Sequence, residues 1–439
     1  MKPRVDIITM GCSKNLIDSE RLIRRLELKG YKTVHNAEIP CGDYVMVNTC
    51  GFIGDAKEES INLILLLGRL KEEKKIGRIA VMGCLSERYK DVIAKELPEV
   101  DFWYGKFDWP TFVAELPDLS KKQFIAKDWE RTLTTPPWSA YVKISEGCNR
   151  MCAYCAIPLI TGRHRSRPIE EILEEVVHLA ESGVKEFNVI AQDLSSYGLD
   201  ISGRHMLPEL IDNMAQIRGV EWIRLHYFYP TDFPMEILDV MNRRPNVCKY
   251  IDIALQHISD NVLSPMKRGI TKEETVKLLK TIREKVPGIV IRTTVMTGFP
   301  GEDEEAFAEL KEFVAEQRFE RLGGFAYSEE EDTLAARTLT DDIPEDVKNS
   351  RLSEIMAIQQ EIAEEINNGL VGSRLKVLIE ENDGKTSYGR TEFDSPEVDQ
   401  EVVVEDCVAA PGSFVDVEII GAAPFELRAK LTASINQEI

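Results

Sequence analysis

Long apolar runs and a signal-like N-terminus are both missing from this sequence of 439 residues. The longest apolar run, 61–67, is broken by Asn62 and is far too short to span a bilayer. The first residues contain no apolar stretch of the kind that a secretory signal needs. We therefore expect a protein of the reducing cytoplasm without a membrane segment, in which nine cysteines indicate metal or redox chemistry rather than disulfides.

Basic residues are also scarce. The chain has 54 Lys and Arg against 75 Asp and Glu, a net charge of −21. This balance argues against a protein that holds nucleic acid mainly by neutralising phosphates, so we expect no tight nucleic-acid binding. It is compatible with a basic protein partner.

A fourth cysteine is missing from the C-x3-C-x2-C run 147–155, which contains Cys148, Cys152 and Cys155. Four-iron–four-sulfur clusters usually take four cysteines, so a set of three leaves one iron open for a ligand that is not protein. Structural zinc, which needs four closed ligands, is the alternative, together with plain buried thiols.

The run 147–155 resembles the cluster loop of the radical S-adenosylmethionine (SAM) superfamily. The resemblance implies that the open iron of a [4Fe-4S] cluster chelates the amino and carboxylate groups of SAM. One electron then cleaves the sulfonium, and a 5′-deoxyadenosyl radical takes hydrogen from an unreactive C–H bond. Low-potential clusters lie near about −400 mV, so a low-potential electron donor is implied as a partner.

Three further cysteines each follow a predicted strand in the first 120 residues. Cys12, Cys50 and Cys84 end apolar runs that alternate with helical patterns, which predicts a parallel sheet. Because ligands of such sheets bind at the carboxyl edge, the three thiols can converge on a second cluster although 38 and 34 positions separate them. Three unrelated buried thiols are the alternative.

These motifs resemble the N-terminal domain of the methylthiotransferases, which carries Gly11-Cys12-Ser13-Lys14-Asn15, Asn48-Thr49-Cys50-Gly51-Phe52 and Gly83-Cys84-Leu85 in this sequence. The resemblance implies a second [4Fe-4S] cluster on Cys12, Cys50 and Cys84 that carries the sulfur to be inserted. It also implies a sulfur donor, and SAM as the source of the methyl group.

Six strand-like runs separated by helical patterns follow a Thr- and Pro-rich linker, 132–139. They predict an open (β/α)6 barrel over residues 134–368, with its active site at the C-terminal ends of the strands. By resemblance, Gln192 and Arg292 hold SAM and the turn 298–302 passes beneath the adenine; from the sequence alone, each could equally satisfy buried backbone groups. The basic run 162–168 is either solvated or holds an acidic group. No catalytic acid or base is assigned.

Five short alternating strands over residues 370–437 predict an OB-like β-barrel, which resembles the TRAM domain. Residues 370–439 contain six Lys and Arg against fourteen Asp and Glu, a balance of −8. The acidic stretch of this region, 392–406, is either a solvated face or a docking surface for a protein rich in lysine and arginine. The predicted fold class is therefore α/β, with domains at 1–120, 134–368 and 370–437.

Within the family, the runs 11–15 and 155–168 resemble the branch that modifies an aspartate β-carbon of small-subunit ribosomal protein twelve. The resemblance thus implies a transferase that uses two [4Fe-4S] clusters and SAM on a basic ribosomal protein, free or in the subunit. Three alternatives stay open: the branch that modifies a tRNA adenosine, a non-catalytic RNA-binding or assembly factor, and a zinc-stabilised scaffold.

Overall fold

The computed structural model describes residues 2–120 and 126–432. It has the predicted α/β class, with a parallel sheet, a six-stranded open barrel and a closed five-stranded barrel in chain order. Met1 and the last five residues of the predicted third domain, 433–437, lie outside the described residues. The limits proposed for the three domains stay a prediction.

The N-terminal region is a five-stranded parallel sheet in the order β2-β1-β3-β4-β5. Its strands are β1 (Arg4–Thr9), β2 (Lys32–His35), β3 (Tyr44–Thr49), β4 (Arg78–Gly83) and β5 (Phe102–Trp103), and its helices are α1 (Ser13–Leu28), α2 (Gly54–Glu72), α3 (Cys84–Glu96) and α4 (Trp109–Glu115). This is a doubly wound order, in which the direction of strand succession reverses between the neighbouring strands β1 and β3. Such a reversal opens a crevice at the carboxyl edge, where ligands bind.

The central region is a sheet of six parallel strands, in the order β13-β12-β11-β10-β9-β6. The strands are β6 (Ser139–Lys143), β9 (Glu186–Ile190), β10 (Trp222–Phe228), β11 (Val247–Gln256), β12 (Val290–Thr297) and β13 (Arg321–Ala326). A two-stranded ribbon, β7 (Ser145–Glu146) with β8 (Arg165–Ser166), brackets the cluster loop. The predicted alternation of strands and helices is confirmed. The edge strands β6 and β13 bound the open side of the barrel.

The helices of the central region are α5 (Ile157–Thr161), α6 (Ile169–Glu181), α7 (Leu199–Ser202), α8 (Leu207–Met214), α9 (Ile237–Arg243), α10 (Asp260–Leu263), α11 (Lys272–Lys285), α12 (Glu304–Gln317), α13 (Leu334–Thr338) and α14 (Glu345–Gly369), with a 3₁₀ turn at Leu194–Ser196. Six helices, α6, α8, α9, α11, α12 and α14, pack their apolar faces on the buried strands of this barrel, and four short helices lie in its loops. The long α14 then leads into the third region.

The third region is a closed barrel of five strands, in the order β14-β15-β16-β18-β17. They are β14 (Arg374–Asn382), β15 (Ser387–Thr391), β16 (Glu401–Glu405), β17 (Phe414–Ala423) and β18 (Glu426–Leu431). An apolar cluster joins it to the central barrel, where Leu378 packs with Trp222, Tyr250 and Val290 near the starts of β10, β11 and β12. The small barrel therefore covers the N-terminal ends of the central strands and leaves their C-terminal ends free.

The acidic stretch of the third region differs from its prediction. Asp394 is fully buried and pairs with Arg321 at 2.6 Å, while Asp399 accepts a hydrogen bond from Tyr250 at 2.7 Å. Glu392 is half-buried, and its carbonyl accepts a hydrogen bond from Arg224. Asp394 and Asp399 thus pair with arginines of the central barrel, whereas Glu397, Glu401 and Asp406 are exposed. The stretch is therefore partly a contact between the two barrels and partly open to solvent. Sequence reasoning missed this because the paired arginines lie 70 or more positions away.

Candidate functional site

All six cysteines of the two predicted triads line one cavity of about 510 Å³. The cavity lies between the carboxyl edge of the N-terminal sheet and the C-terminal end of the central barrel. Its other walls include Tyr154, Gln192, Tyr229 and Arg268. The structure therefore brings together cysteines that are as far apart in the chain as positions 12 and 155.

The N-terminal triad sits at the reversal point of its sheet. Cys12 follows β1, Cys50 follows β3 and Cys84 begins α3 directly after β4. Gly11 has φ +82°, and a Cβ there would lie 2.8 Å from the sulfur of Cys50. Gly83 has φ +102° and would meet the side chain of Asn48 at 2.5 Å. Glycine is needed at both positions, because both have positive φ and a side chain would clash with Cys50 at Gly11 and with Asn48 at Gly83.

The thiols of the N-terminal triad differ in acidity. Burial raises the pKa of the Cys84 thiol to about 12 and also raises that of Cys50. Burial alone would raise the pKa of Cys12 as well. The charges of Lys14 and Lys106 and the hydrogen bond from the Asn15 backbone N–H have a larger combined effect and lower this pKa. Because metal binding requires thiolates, the two lysines and the backbone N–H favour the ligating form of Cys12.

Behind the N-terminal triad lies a row of buried charges. Lys106 is 2% exposed, and its Nζ donates to Asn15 at 3.1 Å and to Asp18 at 2.8 Å. The other oxygen of Asp18 accepts from Lys143 at 2.7 Å, and Lys143 pairs with Glu146 at 2.7 Å. Burial raises the pKa of the Asp18 carboxyl, but the two lysines outweigh it and hold the pKa well below its usual range. This row joins the N-terminal region to the strand that precedes the second triad.

The second triad lies on the loop after β7. Gly147 has φ +80°, and a Cβ there would lie 2.2 Å from the Arg163 carbonyl, so the loop and the run 162–165 pack closely. The N–H of Cys148 donates to the Gly162 carbonyl at 3.2 Å. Burial raises the pKa of the Cys148 and Cys155 thiols to about 12.

Arg268 contacts this triad and was not predicted from the sequence. It is 2% exposed, and its Nη1 donates to Cys152 Sγ at 3.2 Å and to the Tyr154 hydroxyl at 3.1 Å. Its guanidinium lies 4.1 Å from the ring centroid of Tyr229, whose hydroxyl is 3.4 Å from Cys152 Sγ. A buried cation thus faces the second triad, as Lys106 faces the first. No local motif marks Arg268, because it lies more than a hundred positions after the cysteines.

The two residues predicted to hold SAM lie in different places. Gln192 lines the cavity and donates to Glu146, while its buried Oε1 has no hydrogen-bond partner among the described residues. Arg292 instead pairs with Asp399 at 3.3 Å and Asp252 at 3.5 Å inside the barrel. The structure brings Gln192 to the six cysteines and does not bring Arg292 there. SAM contact by either residue stays a prediction.

The turn 298–302 lies behind the second triad. Phe299 packs edge-on against Tyr154, with ring centroids 6.3 Å apart, and Glu302 pairs with Arg351 at 2.9 Å. In the basic run, Arg167 pairs with Glu175 at 2.8 Å, whereas Arg163 and Arg165 are exposed and form no ion pair with described residues.

The other three cysteines, Cys41, Cys248 and Cys407, lie outside the cavity that the triads line.

The donor set fits iron–sulfur clusters better than a single ion. Across residues 2–120 and 126–432, no three His, Cys, Asp or Glu side chains lie close enough to share one metal ion. In a four-iron cluster each cysteine binds a different iron, so the three sulfurs are spaced more widely. Soft thiolate ligands that face one cavity suit such a cluster. In the same part of the chain, no helix has the length and apolar character to cross a bilayer.

Three family models match the chain. Residues 4–105 match the uncharacterized protein family UPF0004, residues 142–314 the radical SAM superfamily and residues 371–431 the TRAM domain. The central match contains the second triad, and the first match contains the N-terminal triad.

The chain is also similar to solved structures at the level of the fold. It matches the radical S-adenosylmethionine methyltransferase TsrM from Kitasatospora setae with a TM-score of 0.54 at 15% identity, over 74% of this chain and 73% of that one. It matches the cobalamin-dependent S-adenosylmethionine radical enzyme OxsB with a TM-score of 0.50 at 11% identity, over 82% of this chain and 56% of that one.

Closer similarity is found among curated sequences named ribosomal protein uS12 methylthiotransferase RimO. The protein from Bacteroides fragilis is 56% identical over 96% of this chain and 98% of its own length. The protein from Porphyromonas gingivalis is 53% identical over 98% of this chain and 99% of its own length. With identity at this level over nearly the full length, and with both cysteine triads facing one cavity, the chain belongs to the RimO family of radical SAM methylthiotransferases.

Proposed function

We propose that this protein methylthiolates the β-carbon of an aspartate in the small-subunit ribosomal protein uS12. The observation that carries the proposal is the single cavity on which two cysteine triads converge. A methylthio transfer needs a site that opens a C–H bond and a site that supplies sulfur within reach of the same carbon atom. The full-length identity to RimO proteins supports uS12 as the substrate.

Cys148, Cys152 and Cys155 would hold one [4Fe-4S] cluster, and Cys12, Cys50 and Cys84 the other. When bound, these clusters together with SAM supply the reducing electron, the radical chemistry, the sulfur and the methyl group. The unpartnered Oε1 of Gln192 is a hydrogen-bond acceptor for the SAM ammonium group. An external low-potential electron donor and a sulfur donor are proposed partners, in the cytoplasm.

The protein's own residues would exclude water and position the substrate. Tyr154, Phe228 and Tyr229 form an apolar wall beside the second triad, which protects a reactive radical from side reactions. Arg268 would donate a hydrogen bond to the Cys152 thiolate throughout the reaction. None of these roles requires a proton to move to or from the substrate carbon.

Lys14 is our candidate for binding the substrate carboxylate. It lines the cavity next to Cys12, and its Nζ lies 3.4 Å from the ring centroid of Tyr227. It forms no ion pair with the described residues, so its charge is free to attract an incoming aspartate. Lys14→Met should weaken turnover of the uS12 substrate by about tenfold or more while SAM cleavage persists.

The test of the proposed function is anaerobic turnover of the reconstituted protein with uS12 and with unmodified tRNA in parallel reactions. We expect mass spectrometry to find the added methylthio group on one aspartate of uS12 and not on tRNA. A tRNA adenosine carrying the group, with uS12 unchanged, would show that the substrate is wrong. Absence of iron and sulfide after reconstitution would instead favour a non-catalytic RNA-binding protein or a zinc scaffold.

A further inference from the structure

A second cleft, of about 710 Å³, lies between α1 of the N-terminal region and the start of the central barrel. We name it the arginine cleft, after Arg21 and Arg25 on α1 and Arg165 and Arg167 on the barrel side. The apolar side chains of Phe107 and Trp109 form another wall. The buried row of Asp18, Lys143 and Glu146 separates it from the cavity of the six cysteines.

The arginine cleft is positively charged although the chain is strongly acidic. Five cationic side chains and three anionic ones line it, so its local balance is +2 in a chain of net charge −21. In such a chain, a local excess of arginine attracts anions rather than cations. Guanidinium groups also match the planar geometry of carboxylates and phosphates.

Two of the four arginines form no ion pair with described residues. Arg25 and Arg167 pair with Asp128 and Glu171, whereas Arg21 and Arg165 form no side-chain hydrogen bond or ion pair with described residues. Arg165 only lies over the ring of Phe107, 5.7 Å from its centroid.

Two buried polar atoms on the cleft walls are also unsatisfied. The Nε of Arg21 is buried with no hydrogen-bond partner, and so is the hydroxyl of Ser145, a residue that is 1% exposed. Burial and the nearby Arg167 lower the pKa of Arg21 by more than the carboxylates of Glu175 and Asp18 raise it. Buried polar and charged groups are normally paired, so two unsatisfied donors beside a positively charged cleft support binding of an anion there.

We propose that the arginine cleft is a binding site for an organic anion that carries a phosphate or carboxylate group. The charged group would lie between Arg21 and Arg165 and accept a hydrogen bond from Ser145. The apolar part would pack on Phe107 and Trp109. The volume of the cleft is within the range of small-molecule sites, about 300–1,000 Å³. This site is separate from the proposed methylthio transfer and does not depend on it.

The test is calorimetric titration of the full-length, cluster-reconstituted protein with inorganic phosphate and, separately, with malonate at constant ionic strength. We expect saturable binding of at least one of them, at one site per chain. The anion that binds more tightly identifies a phosphate-bearing or a carboxylate-bearing ligand. Arg21→Met and Arg165→Met should each weaken the binding by about tenfold or more, because each removes a charged hydrogen-bond donor.

Arg218→Met is the matched control, since Arg218 is exposed and forms no ion pair with described residues; its affinity should equal that of the native protein. Arg21→Met should melt no lower than the native protein in the absence of anion, because it removes a partly buried charge that forms no ion pair with described residues. Binding of neither anion to the native protein would overturn the proposal, as would equal binding by the Arg165→Met variant, which alters only an exposed side chain.

Discussion

The two cysteine triads face the same cavity but are built in different ways. Cys148, Cys152 and Cys155 lie within eight consecutive positions on one loop, whereas Cys12, Cys50 and Cys84 come from the ends of three separate strands. The loop triad is therefore encoded locally. The other triad exists only because the sheet order places β1, β3 and β4 side by side.

The charged neighbours of the two triads differ as well. Arg268 donates directly to a sulfur of the loop triad, at 3.2 Å from Cys152. Lys106 reaches the strand triad through Asn15, whose Oδ1 is 3.6 Å from Cys84 Sγ. A direct hydrogen bond to a sulfur tunes the reduction potential of a cluster. These contacts are in keeping with the proposal that the loop triad holds the cluster that takes up the electron and the strand triad the cluster that supplies sulfur.

The largest effect should come from removing one cysteine of each triad. Cys148→Ala should abolish SAM cleavage, because it removes a ligand of the cluster that would deliver the electron. Cys12→Ala should spare SAM cleavage and abolish methylthiolation. Both are measured anaerobically, as 5′-deoxyadenosine release and as product mass.

Cys41→Ala is the control for this pair, since Cys41 is an exposed thiol outside both triads, and it should behave like the native protein. Equal loss of SAM cleavage in Cys148→Ala and Cys12→Ala, with the other cluster intact in each, would contradict the division of roles.

Arg268→Met should slow SAM cleavage by about 10- to 100-fold, the usual cost of losing a residue that supports a metal ligand. The physical reason is the lost hydrogen bond to Cys152, which should also lower the reduction potential of the loop cluster. A redox titration followed by electron paramagnetic resonance tests this. The strand cluster should titrate as in the native protein, and an unchanged potential of the loop cluster would show that Arg268 is only structural.

Asp18→Asn should lower the free energy of unfolding by about 3–5 kcal/mol at pH 7, because it leaves Lys106 and Lys143 buried without their shared anion. The pKa of Asp18 is lowered on folding, so its stabilisation is present above its unfolded pKa of about 3.9 and is lost as the pH falls further. Urea titrations should therefore show the difference from the native protein shrinking below about pH 4. A difference independent of pH would argue against the ion pairs as its cause.

The smallest effect concerns the two residues predicted to hold SAM. Gln192→Ala should weaken SAM binding by about fivefold, roughly the worth of one hydrogen bond. Arg292→Ala should change it by less than about twofold, because Arg292 pairs with Asp252 and Asp399 rather than facing the cavity. Equilibrium dialysis with SAM measures both. A greater loss in Arg292→Ala would restore Arg292 as a SAM ligand.

Much of the fold was predictable because apolar periodicity marks buried strands and helices directly. The six strands of the central barrel and the five of the small barrel lie where the alternating runs placed them. The short strands β2 and β5 were not predicted, since Lys32–His35 is largely polar and Phe102–Trp103 has only two residues. The internal pairing of Asp394 was not predicted, because it depends on Arg321, which a composition count cannot pair with it.

The sequence by itself determined the loop triad, the alternation of strands and helices and the family, because each rests on residues close together in the chain. Only the tertiary structure decided that both triads share one cavity, that Arg268 and Lys106 supply its buried charges, and that Arg21 forms no ion pair with described residues. Those facts depend on contacts between distant segments, and packing and charge neutralisation select such contacts only once the whole chain has folded.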